Sequence, residues 1–321
     1  MTDNFQLCLL GLPKTGKTTY LAALWSYLRS GLPESQYRIT ELPDDTAYLD
    51  AISFAWAAGD PMPRSSPEVS DHIEFTIEVP DRPPLRVVLP DLPGEVFLNA
   101  VRRPVIDEGP GTAVLNSDLL LLFVNCRAAR MFEPLGDHPV DPIQTAEPPP
   151  PANEWIIDQS HTTAGQLDGD ASYGEGDGEG PIGEADPAAR RFHEFNIGAL
   201  DSDTLNCELL ERLEDLFDDT GFPPLLIVVS AWDVYANEPD LTPYDWLRDH
   251  QPMLSQHIEE LRRTMTVGVV GVSAQGADYQ DQPDIVQADV QVRAWGSDPY
   301  GTKTDVAGPL LWYHALPSRD G

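Results

Sequence analysis

One octapeptide constrains this chain more than any other stretch. Gly11-Leu12-Pro13-Lys14-Thr15-Gly16-Lys17-Thr18 reads G-x-x-x-x-G-K-T; it follows the apolar run Leu7-Cys8-Leu9-Leu10 and precedes the apolar-rich segment Tyr20 to Leu28. A strand, a glycine loop and a helix start, in that order, are the setting in which this motif binds phosphate. Gly11 and Gly16 permit positive φ and close approach, so successive N–H groups can face a β-phosphate while the helix start adds a favourable dipole. The candidate nucleotide contacts are therefore Gly11, Lys14, Thr15, Gly16, Lys17, Thr18 and Thr19. Lys17 is placed to bridge the β- and γ-phosphates, and the Thr18 hydroxyl to ligate Mg²⁺. A plain glycine turn is the alternative, and the agreement of motif, flanks and position weighs against it.

The chain has 321 residues, enough for one large domain, and a formal charge of −33. Only three lysines occur, Lys14, Lys17 and Lys303, and two of them lie in the glycine loop. Such a composition repels nucleic acid and anionic membranes and suits a halophilic cytoplasm. Cys8, Cys126 and Cys207 are far apart, with neither a disulfide framework nor zinc spacing. The start of the chain lacks a basic leader and no apolar run approaches about 18 residues, so the expectation is a soluble, cytoplasmic protein. The histidines are scattered, no G-x-S-x-G elbow occurs, and no basic patch supports nucleic-acid binding.

Apolar patterning predicts strands alternating with helices, a doubly wound α/β sheet with its ligand at the carboxyl ends of the strands. Residues 36–42 read as extended and 44–58 as a helix, with Asp44 or Asp45 as N-cap; residues 59–67 form a proline-rich loop. His72 to Val79 alternates with period two and pairs as an edge hairpin with Leu85 to Leu89. A helix to about Ile106 follows Asp91-Leu92-Pro93-Gly94, and Asp118 to Asn125 is a buried strand. Residues 133–188 read as a disordered acidic insertion, rich in proline and glycine, with 153–157 as a short sticky element. A helix over 201–218, a strand over 224–230, a helix over 244–265 despite Pro252 and a strand over 267–272 complete the core. Residues 277–303 read as a polar insertion with a strand at 286–292, and a final helix begins near Gly308.

Four motifs fall at strand ends and resemble those of Ras-like P-loop GTPases. Gly11 to Thr18 is the first; Asp91-Leu92-Pro93-Gly94 matches D-x-x-G; Ser230-Ala231-Trp232-Asp233 stands where N-K-x-D would be; Ser273-Ala274 matches the S-A of the last. The chain looks closest to the prokaryotic double-GTPase families of the translation-factor-related class. The resemblance implies that Asp91 holds Mg²⁺ through water, that the Gly94 N–H meets the γ-phosphate, that Asp233 accepts from guanine N1 and N2, and that the Ala274 N–H contacts guanine O6. The lysine that covers the base is Ala231 here, which lowers the expected affinity, and Trp232 is a candidate for stacking in its place. Asp233 as a helix N-cap is the alternative.

Ser65 or Ser66 is the candidate switch hydroxyl for Mg²⁺, ahead of Thr40 and Thr46. Arg64 beside it resembles the cis arginine of heterotrimeric G-protein α subunits, which implies stabilisation of transition-state charge; a solvated arginine is the alternative. Glu95 stands where these enzymes carry a water-positioning glutamine, so it either orients water or starts a helix, and hydrolysis should be slow. Lys14 matches the position of an inward-turning arginine in guanylate-binding proteins; an exposed lysine is the alternative. The resemblance thus implies a switch that binds GTP and GDP with Mg²⁺ and signals to a protein partner or a second copy through residues 59–67 and 94–106. A general NTPase of the same fold, or a pseudo-GTPase scaffold, is the alternative.

Overall fold

The computed structural model describes residues 3–32, 37–62, 72–78, 84–90, 93–102, 108–127, 200–218 and 220–315. The chain divides into one unit of Met1–Phe132 with Ile197–Gly321 and a second of Glu133–Asn196. The acidic insertion expected at 133–188 lies outside the described residues, as do Arg64, Ser65, Ser66 and Asp91.

In chain order the strands are β1 (Asp3–Leu10), β2 (Arg38–Glu41), β3 (His72–Glu78), β4 (Leu85–Pro90), β5 (Leu119–Asn125), β6 (Leu225–Ser230), β7 (Val267–Ser273), β8 (Trp295–Ser297) and β9 (Lys303–Asp305). The helices are α1 (Lys17–Arg29), α2 (Ala47–Ala58), α3 (Gly94–Arg102), α4 (Glu108–Leu115), α5 (Ser202–Phe217), α6 (Pro243–His250), α7 (Pro252–Leu261), α8 (Val290–Arg293) and α9 (Gly308–Ala315). One sheet runs β2-β3-β4-β1-β5-β6-β7-β8-β9. Its centre, β4-β1-β5-β6-β7, is parallel. Both flanks are antiparallel: β2-β3-β4 on one side and β7-β8-β9 on the other. Since β1 lies between β4 and β5, the loop leaving its carboxyl end opens at the point where strand order reverses, the crevice in which doubly wound sheets bind ligands.

Period-two geometry explains why the central strands are apolar throughout. Leu119, Leu121 and Phe123 of β5 enter one core with α1 and α2, whereas Leu120, Leu122 and Val124 enter the other with α5 to α7. Each face is covered, so neither set of alternate residues can be polar. Close packing also fixes the composition of β7. A Cβ on Gly271 would lie 2.5 Å from Cγ of Trp232, and one on Gly268 would lie 2.6 Å from the Trp312 ring.

Three expectations are corrected and one helix is added. The single helix over 244–265 is two, α6 and α7, broken at Gln251 (φ −135°, ψ 62°), because Pro252 has no N–H to continue the first and is suited to start the second. The strand at 286–292 is instead a 3₁₀ turn, Pro283–Gln287, followed by α8; the polar stretch reaches the sheet later, as β8 and β9. Helix α4 was not anticipated; Gly109 and Pro110 disguise it, although proline in a first turn leaves no helical bond unmade. Thr46 rather than Asp44 or Asp45 is the N-cap residue of α2, with Asp45 Oδ1 accepting from the Ala47 N–H.

A buried carboxylate joins α5 to α7. Asp203 is 2% exposed, and its oxygens accept from the N–H groups of Met253 (2.9 Å) and Leu254 (2.8 Å) in the first turn of α7. Burial pushes its pKa up, the two N–H donors opposing this. Asp203→Ala leaves both donors without that acceptor and is expected to lower stability by about 2–3 kcal/mol in a urea titration; a change under about 0.5 kcal/mol contradicts this.

Candidate nucleotide site

The glycine loop between β1 and α1 carries three signs of phosphate geometry. Gly11 (φ 138°), Lys14 (φ 65°) and Gly16 (φ 93°) all lie at positive φ. Gly16 is the N-cap of α1 and no side chain caps that terminus; the first turn holds no acidic residue, despite the charge of the chain. The leading N–H groups of α1 therefore keep their dipole for an anion. Lys17 Nζ donates to the carbonyls of Gly11 (2.6 Å) and Leu12 (3.1 Å), and its ammonium stands 5.9 Å from the Phe97 ring centroid. Thr15 is buried with its hydroxyl on the Leu12 carbonyl at 2.9 Å, while Thr18 and Thr19 are partly exposed. The Lys14 side chain is exposed.

Helix α3 starts directly against this loop. Gly94 is buried, and a Cβ there would lie 2.6 Å from Pro13 N and 2.8 Å from Leu12 C. Phe97, one turn on, is fully buried beneath Lys17. Glu95 is exposed in the first turn of α3. Thr40 and Thr46 sit away from loop tips: Thr40 Oγ1 donates to Thr76 O at 3.4 Å, and Thr46 Oγ1 to Asp50 Oδ2 at 2.8 Å.

The ends of β5, β6 and β7 meet beside the loop. Ser230 Oγ donates to the Thr15 carbonyl at 2.7 Å, and Asn125 Nδ2 donates to the Lys14 carbonyl at 3.1 Å, so two strand ends hold the loop in place. Ala231 adopts φ 59° and, with Lys14, makes up the positive-φ residues other than glycine among those described. Strain of this kind gathers at working loops. Asp233 lies inside a 3₁₀ turn, Trp232–Tyr235, rather than at its cap. Its Oδ1 accepts from Ser273 Oγ at 3.0 Å and its Oδ2 from Arg127 at 2.7 Å. Ser273 is fully buried, and the carbonyl of Ala274 accepts from Trp56 Nε1 at 2.6 Å.

Trp232 does not offer a stacking face. It is 4% exposed, its ring 5.4 Å from that of Tyr235 and filling the space above Gly271, so it belongs to the core. Four residues absent from the sequence-level set enter here: Asn125, Arg127, Ser230 as a strap rather than a motif letter, and Trp56. Their partners are more than 100 positions away in sequence, out of reach of any local pattern. Burial, the largest cause, pushes the Cys8, Cys126 and Cys207 thiols up to about 12, so none has thiolate character near neutrality. Among the described residues no group of three or more His, Cys, Asp or Glu side chains is arranged to hold a metal, and no helix is long and apolar enough to cross a membrane.

Arg293 fixes the far wall. It is 2% exposed, its guanidinium 3.8 Å from the Trp56 ring centroid, and it donates to the Trp56 carbonyl (2.6 Å), the Val286 carbonyl (3.1 Å) and Tyr279 Oη (2.7 Å). A cation at the carboxyl end of α2 faces the negative end of the helix dipole. It binds the segment ending at Gly59 to the loop after β7.

Comparison with known proteins follows the same lines. Residues 8–313 match the model of the family described as Double-GTPase 1. No curated protein matches. Among solved structures, Era in complex with MgGDPNP and nucleotides 1506–1542 of 16S ribosomal RNA is similar at 10% identity and a TM-score of 0.32, over 89% of this chain and 57% of that one. The chain thus spans little more than half of the length of Era. The family match takes in the glycine loop, the strand ends around Asp233 and Ser273 and most of the closing helix α9, and the chain belongs to the Double-GTPase 1 family.

Proposed function

We propose that this protein is a GTP-binding switch with slow, Mg²⁺-dependent hydrolysis. The observation that carries the proposal is the join between base-reading and phosphate-binding parts: Asp233 is held by Ser273 at 3.0 Å, three residues after Ser230, whose hydroxyl is bonded to the loop carbonyl of Thr15 at 2.7 Å. A carboxylate so placed accepts from guanine N1 and N2, which adenine cannot match. Gly11, Thr15, Gly16 and Thr19 supply backbone to the phosphates, Lys17 leaves its carbonyl partners for the β- and γ-phosphates, and the Ala274 N–H takes guanine O6. The Thr18 hydroxyl, at the start of α1, and Asp91 and Ser65, outside the described residues, are the proposed Mg²⁺ ligands. Bound Mg²⁺ supplies neutralisation of charge on the β- and γ-phosphates. Lys14 and Arg64 are proposed to add charge at the transition state, and exposed Glu95 to orient water weakly, which keeps turnover slow.

The segments 59–67 and 94–106 are the proposed partner-facing switches, engaging a protein effector, a regulator or a second copy of the chain. The RNA in the structure of Era finds no counterpart in this proposal, since a chain of charge −33 repels a phosphate backbone. A soluble cytoplasmic setting with high salt accords with the same charge.

The test is displacement of labelled GDP by GTP and by ITP, which lacks the N2 amine, in concentrated KCl with Mg²⁺. Wild type should prefer GTP by about tenfold or more, and Asp233→Asn should erase that preference. Equal competition by both nucleotides on wild type would overturn the assignment. Trp56→Phe keeps a ring under Arg293 but removes the 2.6 Å bond to the Ala274 carbonyl. It should weaken GTP and GDP alike by about fivefold in the same titration; no change contradicts a positioning role for Trp56.

A further inference from the structure

We propose that Arg127 is a built-in competitor for the base site, holding the Asp233 carboxylate as a guanine edge would and thereby setting nucleotide affinity. The inference rests on the assignment of Asp233 as the guanine acceptor. Arg127 lies two residues beyond β5, and its NH2 group donates to Asp233 Oδ2 at 2.7 Å, while its NH1 group donates to Asp278. Ser273 occupies Asp233 Oδ1. The Asp233 side chain is consequently only 6% exposed, whereas that of Arg127 is 34% exposed. The acceptor is covered, and what covers it has solvent to move into.

The chemistry of the two donors is alike. Guanine offers N1–H and an N2 amine side by side; a guanidinium offers a planar fork of N–H groups suited to the same carboxylate. The two compete for Oδ2, so a base reaches Asp233 only after the arginine has left it. Asp278, in the loop after Ser273 and Ala274, is a second anchor that keeps the arginine parked. The backbone below is fixed: the Arg127 N–H donates to Asn125 Oδ1 at 2.9 Å, and Asn125 in turn holds the Lys14 carbonyl. Only the side chain need swing.

Electrostatics alone would give the opposite result. Removing a cation from a chain of charge −33 should weaken binding of an anionic nucleotide. A latch predicts tighter binding instead, which separates the two accounts by sign.

The experiment is titration of GTP, GDP and ITP against the full chain as wild type, Arg127→Ala, Asp278→Asn and Asp233→Asn, each first checked by its thermal midpoint. Arg127→Ala should bind all three about tenfold more tightly with the GTP-to-ITP ratio unchanged, because the arginine has to leave for any base. Asp278→Asn, which keeps Arg127 and Asp233, should tighten binding about threefold, and it decides the matter should Arg127→Ala fail to fold. Asp281→Asn removes a charge from an exposed position of the same loop without touching the latch, and should change nothing. Unchanged affinity in Arg127→Ala overturns the proposal; weaker affinity overturns it too, and would mean that the arginine covers the base face in place of the lysine missing at Ala231. Asp233→Asn reports on the underlying assignment by itself: loss of GTP preference there beside unchanged affinity in Arg127→Ala defeats the latch alone, whereas an intact preference defeats both.

Discussion

Lys17→Ala is expected to weaken GTP binding by at least about 100-fold and GDP binding by about tenfold, while changing unfolding stability by less than about 1.5 kcal/mol. The ammonium is partly exposed and rests on two carbonyls of the loop, which water can satisfy in its absence, so the fold asks little of it. The phosphates ask much more. With 53 acidic residues against 20 basic ones, the chain sets a repulsive field for a nucleotide, and Lys17 is the cation that the loop geometry aims at it. A charge-assisted bond lost from each of the β- and γ-phosphates of GTP is worth about 3 kcal/mol, or about 100-fold, whereas GDP has no γ-phosphate and loses one such bond, about tenfold. Titration of labelled GTP reads this directly, and GTP binding within threefold of wild type would contradict it.

Gly94→Ala should damage the same site from the other side. The added Cβ would lie 2.6 Å from Pro13 N, 2.7 Å from Pro13 Cα and 2.8 Å from Leu12 C, all backbone atoms that cannot rotate away. Either α3 or the phosphate loop has to move. The expected loss is about 2–3 kcal/mol in stability together with about tenfold or more in GDP affinity. Gly109→Ala is the matched control: a Cβ there meets nothing within 4 Å, in the first turn of α4, so the variant should be neutral or slightly more stable. Equal behaviour of the two variants in thermal melts and GDP titrations would contradict the role given to the α3 contact.

How much of this was legible in the sequence follows from the range of the interactions concerned. β1, the loop and α1 are contiguous and carry their own signals, and the runs in β5, β6 and β7 declare themselves because both sheet faces are buried. The β3–β4 hairpin was legible from alternation alone, pairing from His72↔Pro90 to Ile77↔Leu85. What escaped depends on distant partners. Strands β8 and β9 have three residues each, too short for a period to show, and they exist because β7 offers an edge. α8 ends in Arg293, a buried cation whose acceptors are the Trp56 carbonyl of α2, the Val286 carbonyl and the Tyr279 hydroxyl, so hydropathy points the wrong way. Trp232 read as an aromatic beside the base only because Gly271, which makes room for its ring, lies on another strand. At the site, motif letters marked Lys17, Asp233 and Ser273. The ties from Ser230, Asn125 and Trp56 to loop carbonyls are contacts between side chain and backbone across the fold, and one-dimensional spacing does not encode them.

The central claim is that the Asp233 site reads guanine, and displacement of labelled GDP from the wild-type chain by GTP and by ATP, in concentrated KCl with Mg²⁺, tests it most directly. The account predicts that GTP displaces GDP at concentrations at least about 100-fold lower than ATP, because adenine presents an acceptor where Asp233 needs a donor. Equal displacement by ATP would contradict it and leave a phosphate site with no base preference.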